Sequence, residues 1–381
     1  MPEDKVIGNS LDRWRLTNPA VGAVYRIFAG SFAMIDFLDP GFILIIACAV
    51  GVILVSALSK VVPTNNPLPP EIVDAQSTVH WTSAIVMPLV GSTILVLCLY
   101  FLSSMMIVMT ISFSCISCVS IFSLMYVVLP HTPEFNKKLF RLPLLGAEVT
   151  VRTLLSGLIA GAMLATWFLR PYWYMSNVIA LCLCWFMMQC TSLPNLKIAS
   201  LLLAALFVYD IFWVFYSKPI FGKNVMVTVA TSLRLPMLLE FPRLFGDRAV
   251  MLGLGDIVFP GIVICYTLKI DLHLHNLRLT PPTVDLVPMA TAPDVQHKDA
   301  AVMDATVTPG GSTSWLGVWR EASYMQTAMA GYLVGLVVAY AAVTIMNHPQ
   351  PALLYLVPLT LGPPLVRSLP RHHLGLLWNG V

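Results

Sequence analysis

One uncharged stretch limits the fold of this chain more than any other feature. Residues 82–129 contain no Asp, Glu, Lys, Arg or His. A single helix over this stretch would be about 70 Å long at 1.5 Å per residue. A bilayer core is only about 30 Å thick. We therefore predict that the stretch crosses a membrane twice, with the turn at Ser103 and Ser104.

The composition of the whole chain supports a membrane location. Of the 381 residues, 57% are hydrophobic and only 11% are charged, whereas a soluble domain has about 25% charged residues. Lys and Arg are scattered and form no basic stripe, which argues against nucleic-acid binding. The first long apolar run begins near Phe42, too late for the core of a signal peptide, so no cleaved signal is expected.

The apolar runs predict an all-α polytopic membrane protein with nine transmembrane helices and its termini on opposite sides. Lys and Arg are nearly balanced between the two sides, so charge does not decide the orientation. The predicted regions are a tail at 1–41, a bundle of five spans at 42–198, spans six and seven at 199–268, a polar loop at 269–323, and spans eight and nine at 324–381. The loop contains TPPTVDLVP and TPGGSTS and lacks apolar periodicity, which predicts disorder.

Two aspartates lie inside the predicted spans. Asp210 occurs in LLLAALFVYDIFWVFY and Asp256 in MLGLGDIVFPG, and no other Asp, Glu, Lys, Arg or His falls within the nine spans. A charge at the centre of a span costs roughly 2.5–3.5 kcal/mol on insertion scales, so it marks a functional site by default. The two residues are therefore the first candidates for a site.

Their positions predict that the two aspartates meet. Span six is expected at 199–216 and span seven at 249–268, so Asp210 lies about six residues before one end and Asp256 about seven after the other. At 1.5 Å per residue these are depths of about 9 and 10.5 Å below the same face. Span nine enters from that face as well, which brings Gln350, Pro351, Ala352 and Leu353 to the same level.

A pair of carboxyl groups in a site of low dielectric can carry out acid–base hydrolysis. The two cannot both ionise cheaply, so one keeps its proton. The ionised group can activate a water, while the protonated group can hydrogen-bond the carbonyl under attack. Gly253 and Gly255 leave room beside Asp256 for another chain. Pro351 lacks an amide hydrogen and suits the start of a helix.

Other interpretations of these residues remain open. Buried aspartates also occur in ion and proton pathways and in contacts between helices. The G-x-x-x-G pairs Gly157/Gly161 and Gly331/Gly335 are typical of close helix packing. Cys115 and Cys118 form a C-x-x-C without nearby histidines, and His273 and His275 lie in a polar loop. We expect no metal at any of these positions.

Three motifs resemble those of a known family. Tyr209-Asp210, Gly253-Leu254-Gly255-Asp256 and Pro351-Ala352-Leu353 are similar to the YD, GxGD and PAL motifs of presenilin-type intramembrane aspartyl proteases. The longer strings YDIFWVF, NVMVTVA, MLGLGDIVFPG and QPALLYLVP resemble the signal peptide peptidase branch. The resemblance is specific from about 201 to 358, outside the polar loop. In the first 150 residues it rests on the span count.

The resemblance implies a fold and an activity. The fold would be presenilin/signal peptide peptidase-like, and Asp210 and Asp256 would be catalytic. Tyr209, Gly253, Leu254, Gly255, Gln350, Pro351, Ala352 and Leu353 would shape the site or bind substrate. The expected activity is an intramembrane aspartyl endopeptidase that cleaves signal-peptide remnants and type II membrane proteins, without a metal or cofactor.

The resemblance also implies a location and partners. We expect a multi-pass protein of the endoplasmic reticulum membrane whose partners are transmembrane peptides, the lipid bilayer, and a homo-oligomer or a membrane quality-control complex. The chain ends in LLWNGV, without the lysine-based retrieval signal of several family members. A non-proteolytic ion or proton pathway and a pseudoprotease scaffold are the alternatives.

One loop segment has a composition typical of a strand. Residues 225–230 read VMVTVA and have high β-propensity. A helical substrate must unwind before hydrolysis, and this segment could then pair with it as an added strand. A simple packing segment is the alternative.

Overall fold

The computed structural model describes most of the helical part of the chain. The described residues are 39–61, 77–130, 132, 134–141, 148–170, 172–222, 236–242, 249–279, 322–346 and 350–380. The segment 225–230 and most of the predicted polar loop lie outside them.

Helices form most of the fold, as the apolar runs predict. In chain order they are α1 Pro40–Val61, α2 Trp81–Tyr100, α3 Leu102–Val128, α4 Val151–Leu169, α5 Trp173–Cys190, α6 Leu196–Ile211, α7 Ser217–Phe221, α8 Gly255–Leu279, α9 Ser323–Met346, α10 Leu353–Ser368 and α11 Leu374–Asn379. Among the described residues, eight helices are long and apolar enough to cross a membrane. The predicted ninth span is α10, which has only 16 residues. An all-α polytopic membrane protein is therefore confirmed, while the count of nine stays a prediction.

The uncharged stretch forms two helices, as predicted. The break between α2 and α3 lies at Phe101, whose ψ of 40° is not helical, and not at Ser103 and Ser104. Hydroxyl side chains in this region bond to carbonyls of their own helix, as Ser112 Oγ does to Val108 O at 2.8 Å. Because such a bond satisfies the hydroxyl inside the helix, serines need not end a helix in an apolar setting.

Three short sheets, which the sequence patterns did not predict, join the helices. Parallel β1 Ser77–Thr78 pairs with β4 Thr191–Ser192, antiparallel β2 Lys138–Arg141 pairs with β3 Glu148–Thr150, and antiparallel β5 Leu238–Phe241 pairs with β6 Val250–Gly253. The β5–β6 hairpin places Leu238 opposite Gly253. It matters for the site, since β6 ends just before α8 and Asp256.

The predicted seventh span, 249–268, is wrong at both ends. Its first residues form β6, and the helix begins only at Gly255 because the two nearby glycines favour irregular backbone. The helix then continues to Leu279, so the first part of the predicted polar loop is helical. Asp256 consequently lies in the first turn of α8 and not two turns inside it.

A further buried carboxyl, Asp271, lies on α8, beyond the predicted end of span seven at Leu268 but inside the candidate span Gly255–His275, so the spans of the structure hold more ionisable residues than the two predicted. Its side chain is 7% exposed and accepts hydrogen bonds from the backbone N–H groups of Tyr324, at 2.9 and 3.1 Å, and Met325, at 2.8 Å. The first N–H groups of a helix have no partner within that helix. Asp271 therefore caps α9 from the neighbouring helix, which explains how a carboxylate is accommodated there.

Arg152 is another ionisable residue that lies within a candidate span. It lies near the start of α4 and is fully buried. Its guanidinium lies 4.0 Å from the centre of the Tyr126 ring and donates to the Tyr126 carbonyl. A cation over an aromatic face, with a carbonyl as acceptor, compensates part of the cost of burying the charge.

Two hydrogen bonds show which ends of α6, α9 and α10 lie on the same side of the bundle. At one end, the backbone N–H of Leu353 at the start of α10 meets Asp210 near the end of α6. We call this end of the bundle the Asp210 face. At the opposite end, Arg371 donates to Ser323 at the start of α9, at 3.2 Å. α10 and the turn that follows it therefore run antiparallel to α9, as the predicted ninth span requires.

The two G-x-x-x-G pairs behave differently. A Cβ added to Gly331 would lie 1.8 Å from Leu359 O, and one added to Gly335 would lie 3.0 Å from Leu356 Cδ2. Close packing of α9 on α10 is thereby confirmed for this pair. A Cβ at Gly157 or Gly161 would meet nothing within 4 Å. The close contact predicted for the α4 pair is therefore wrong, because these glycines are exposed on the outside of the bundle.

Candidate active site

Asp210 lies in the last turn of α6 and is buried, with 6% of its surface exposed. Its Oδ2 accepts a hydrogen bond from the backbone N–H of Leu353 at 3.3 Å. That N–H belongs to the first turn of α10, where the helix supplies no acceptor for it. The start of one helix therefore provides a donor for the carboxyl of another.

Asp256 lies in the first turn of α8 and is partly buried. The strand β6 ends at Gly253, and a Cβ added there would lie 3.2 Å from Asp256 Oδ2. The carboxyl therefore occupies the space beside the glycine, and a side chain at this position would crowd it. At Gly255 an added Cβ would make only an ordinary contact, 3.5 Å, with the ring of Phe259.

The structure brings the two aspartates to one place. Their carboxyl groups are near enough to interact electrostatically, and α6 and α8 pack against each other. Tyr332 of α9 is fully buried and also interacts electrostatically with Asp256. Its hydroxyl has no hydrogen-bond partner among the described residues. The site therefore combines two carboxyl groups with a further polar group that sequence reasoning missed.

The predicted P-A-L turn lies at the same level as Asp210. Pro351 and Leu353 are buried, and Ala352 precedes the first residue of α10. The carbonyl of Ala352 accepts from the N–H groups of Tyr355 and Leu356 at 3.1 Å, so the turn leads directly into the helix. The side chain of Leu353 packs in an apolar cluster with Leu206 of α6. Gln350 is partly buried at the entry to this turn.

Tyr209 and Leu254 lie next to Asp210 and near Asp256, the two residues that we call the dyad, and both pack into the structure around it. Tyr209 packs with Trp213 against α2, where a Cβ on Gly91 would lie 3.6 Å from the tyrosine ring. Trp213 is in the π-helical turn Phe212–Tyr216 that directly follows α6, and its Nε1 donates to Ser92 Oγ at 3.1 Å. Turns of this kind occur often at functional sites. The backbone N–H of Leu254 donates to Met237 O at 3.2 Å, which extends the β5–β6 ladder to the residue before α8.

The described part of the chain shows no group of three or more His, Cys, Asp or Glu side chains that could hold a metal ion. Cys115 and Cys118 are both free thiols on α3. His273 and His275 lie on α8 rather than in a loop, near the end of that helix away from Asp256.

Asn177 is a further residue at the Asp210 face that sequence reasoning missed. It lies in α5 and is only 4% exposed. Its amide forms two hydrogen bonds to the backbone of Glu240 in β5. A polar side chain in an apolar span is expensive unless it is paired. That cost was the signal that could have identified Asn177.

The order of the motifs and the two neighbouring aspartates agree with one protein family. The sequence profile of the signal peptide peptidase family matches residues 72–381, more than half of the chain. The chain belongs to the signal peptide peptidase family. Membership implies an intramembrane aspartic peptidase, and it agrees with the multi-pass helical fold.

Individual members of the family are similar over different lengths. Signal peptide peptidase-like 1 of Oryza sativa subsp. japonica is 31% identical over 90% of this chain and 94% of the relative. Signal peptide peptidase-like 1 of Arabidopsis thaliana is 32% identical over 81% of this chain and 83% of the relative. Signal peptide peptidase of Mus musculus is 32% identical over 55% of this chain and 44% of the relative.

Proposed function

We propose that this member of the signal peptide peptidase family hydrolyses peptide bonds within transmembrane helices, with Asp210 and Asp256 as the catalytic pair. The observation that carries the proposal is the meeting of these two carboxyl groups inside a helical bundle. The proposed substrates are signal-peptide remnants and type II membrane proteins, as the resemblance implies. The proposed compartment is the endoplasmic reticulum membrane.

The proposed reaction is direct attack of water on an amide. One carboxyl group is ionised and takes a proton from a water between the two, while the other is protonated and donates a hydrogen bond to the carbonyl oxygen. The water oxygen bonds to the carbonyl carbon and forms a tetrahedral intermediate. The C–N bond then breaks as the nitrogen receives a proton, which leaves a new carboxyl and a new amine. No covalent enzyme intermediate is needed.

Neighbouring groups support this arrangement. The N–H of Leu353 holds one oxygen of Asp210, and the missing side chain at Gly253 leaves room for the carboxyl of Asp256 itself. Asp256 lies in the first turn of α8, where the backbone can be approached more easily than at mid-helix, and Asp210 lies just before the π-helical turn Phe212–Tyr216. A substrate helix must unwind locally to expose the amide, because its own hydrogen bonds hide the carbonyl.

The decisive experiment compares the activity of variants at Asp210 and Asp256 with that of a control variant at another buried carboxyl, Asp271. Purified wild type, Asp210→Asn and Asp256→Asn are incubated with a type II signal-peptide substrate in detergent or liposomes. Asn keeps the side-chain size, so the expected loss of about 10²- to 10⁴-fold in kcat reflects lost acid–base chemistry. The control, Asp271→Asn, changes a buried carboxyl that lies on α8, like Asp256, but caps the start of α9. It should keep substantial activity in the folded fraction.

Several outcomes would contradict the proposal. Cleavage that survives either dyad substitution would remove Asp210 or Asp256 from catalysis. A wild type that cleaves no transmembrane substrate and binds no hydroxyl-bearing aspartyl-protease inhibitor would favour an ion pathway or a scaffold. Microscopy of the tagged protein, with tags placed in a loop, would test the compartment, and a location outside the endoplasmic reticulum would contradict that part.

A further inference from the structure

The side chain of Asn177 forms two hydrogen bonds with a single residue of a strand. Its Nδ2 donates to Glu240 O at 2.8 Å, and its Oδ1 accepts from the Glu240 N–H at 2.9 Å. A carboxamide has a donor and an acceptor side by side, like a peptide group. Asn177 therefore occupies the outer edge of β5 in the way that a neighbouring strand would.

This edge needs a partner. β6 pairs with one side of β5, and Glu240 lies opposite Met251 in that pairing. The outward backbone groups of Glu240 would otherwise be unpaired beside an apolar bundle, where each unsatisfied group is costly. Trp173, about one turn earlier on α5, adds an apolar contact, with its ring 5.8 Å from that of Phe241. α5 thus holds β5 by both polar and apolar contacts.

We call the two hydrogen bonds between Asn177 and Glu240 the clamp. A short series of backbone contacts connects the clamp to Asp256. β5 fixes β6 through the antiparallel pairing, and the ladder continues with the bond from Leu254 N–H to Met237 O. The next residue, Gly255, begins α8, and Gly253 lies directly against the carboxyl of Asp256. A displacement of β5 is therefore transmitted to the first turn of α8.

Apolar contacts with α1 also hold the β5–β6 hairpin, but they do not fix its position along α5. Phe241 and Val250 pack with Phe42 and Ile45 of α1. These contacts are apolar and non-directional, so they resist separation more than they resist sliding. The two hydrogen bonds of Asn177 have fixed geometry and define the position of β5 along α5.

We propose that Asn177 is a positioning residue for Asp256, which it holds in register with Asp210 by clamping the edge of β5. Its effect on cleavage rests on the proposed proteolytic function. Its effect on the hairpin does not depend on that function. Asn177 touches neither carboxyl, so its loss should lower turnover and leave substrate binding nearly unchanged.

The test compares two buried amides of the same helix. Asn177→Leu removes the clamp, whereas Gln189→Leu removes an amide that bonds to Ser56 near the other end of α5. For Asn177→Leu we expect kcat to fall about 10- to 100-fold with KM within about threefold, since a misplacement of 1 Å can cost 10²-fold. For Gln189→Leu we expect kcat within about twofold of wild type, even where its unfolding temperature falls.

A second variant guards against a general packing defect. Asn177→Asp keeps the shape of the side chain but replaces the donor to Glu240 O by an acceptor. It should lower kcat about as much as Asn177→Leu. Hydrogen–deuterium exchange provides a readout that needs no activity. Peptides covering residues 236–242 and 249–254 should exchange faster in both Asn177 variants and at the wild-type rate in Gln189→Leu.

The outcomes separate this inference from the proposed function. If wild type cleaves and Asn177→Leu retains kcat within twofold, or loses no more than Gln189→Leu, the positioning role is wrong. If wild type cleaves nothing, the proposed function is wrong. The clamp is then tested only by hydrogen–deuterium exchange of the β5–β6 hairpin. Unchanged exchange of the hairpin in the Asn177 variants would overturn it in either case.

Discussion

Replacing Gly331 by alanine should damage the protein far more than the size of one methyl group suggests. Gly331 faces the carbonyl of Leu359 on α10, and an added Cβ would lie 1.8 Å from its oxygen and 2.9 Å from its carbon. The same Cβ would lie 3.1 Å from Pro363 Cγ. Proline has no N–H, so Pro363 cannot bond to the carbonyl four residues earlier, which is that of Leu359. The carbonyl is therefore free to point at the glycine.

The size of the clash can be worked out from these contacts. Ordinary contact begins at 3.4 Å, so the oxygen and the new methyl must separate by about 1.6 Å. Both the carbonyl and the proline ring are rigid, so α10 must move as a unit. Overpacking of this kind costs about 1–3 kcal/mol, which exceeds the ~1 kcal/mol that alanine gains over glycine in a helix. Because α10 also carries the Leu353 N–H that bonds to Asp210, kcat should fall about 10²-fold.

The chain offers a graded set of controls for this prediction. At Gly335 the nearest atom to an added Cβ is Leu356 Cδ2, at 3.0 Å, which is the movable end of a side chain. At Gly157 nothing lies within 4 Å. Thermal unfolding and kcat should therefore be affected in the order Gly331→Ala, Gly335→Ala, Gly157→Ala, with the last at or above wild-type stability. Equal behaviour of Gly331→Ala and Gly157→Ala would refute the close packing of α9 on α10.

Two further substitutions test buried polar groups. Tyr332→Phe should keep or raise the unfolding temperature, since a buried hydroxyl without a partner among the described residues contributes only a desolvation cost of roughly 1–3 kcal/mol; a clear loss of stability would mean that the hydroxyl is bonded. Asp271→Ala should lower stability by about 1–3 kcal/mol for each of the two α9 N–H groups it leaves unpaired. Activity per folded molecule should survive in Asp271→Ala, and a loss as large as that of the dyad variants would show that Asp271 takes part in catalysis.

Features that depend only on the order of apolar and charged residues along the chain could be predicted from the sequence. The uncharged stretch at 82–129 is too long for one crossing, and the structure divides it into two helices. Asp210 and Asp256 were identified by the cost of a charge in an apolar span, and they do lie together. Their roles in catalysis remain predictions.

The local sequence pattern gave wrong predictions where hydrogen bonds to distant residues decide the conformation. Residues just before Asp256 are apolar and look like the start of a span, but they pair with β5 and form a strand. Asp271 looked like part of a polar loop because its partners, the N–H groups that begin α9, are more than 50 residues away in the chain. A charge count along the sequence cannot distinguish a satisfied carboxyl from a solvated one.

The two G-x-x-x-G pairs illustrate the same limit. Both have the same spacing and the same small residues, yet only Gly331 and Gly335 lie against another helix. The spacing establishes that two glycines share a helix face. It does not establish which way that face points.

The sequence by itself determined a multi-pass helical membrane protein, because long apolar runs leave no other low-energy arrangement for the backbone. It also predicted that Asp210 and Asp256 lie close together, because the loop between their helices leaves and re-enters on one face, although the helix boundary used for the depth of Asp256 was wrong. The tertiary structure decided which polar groups are paired. The clamp of Asn177 on β5, the cap of Asp271 on α9 and the bond from Leu353 to Asp210 each join distant parts of the chain. Such bonds require a fixed orientation of two elements, and only the packing of the bundle supplies it.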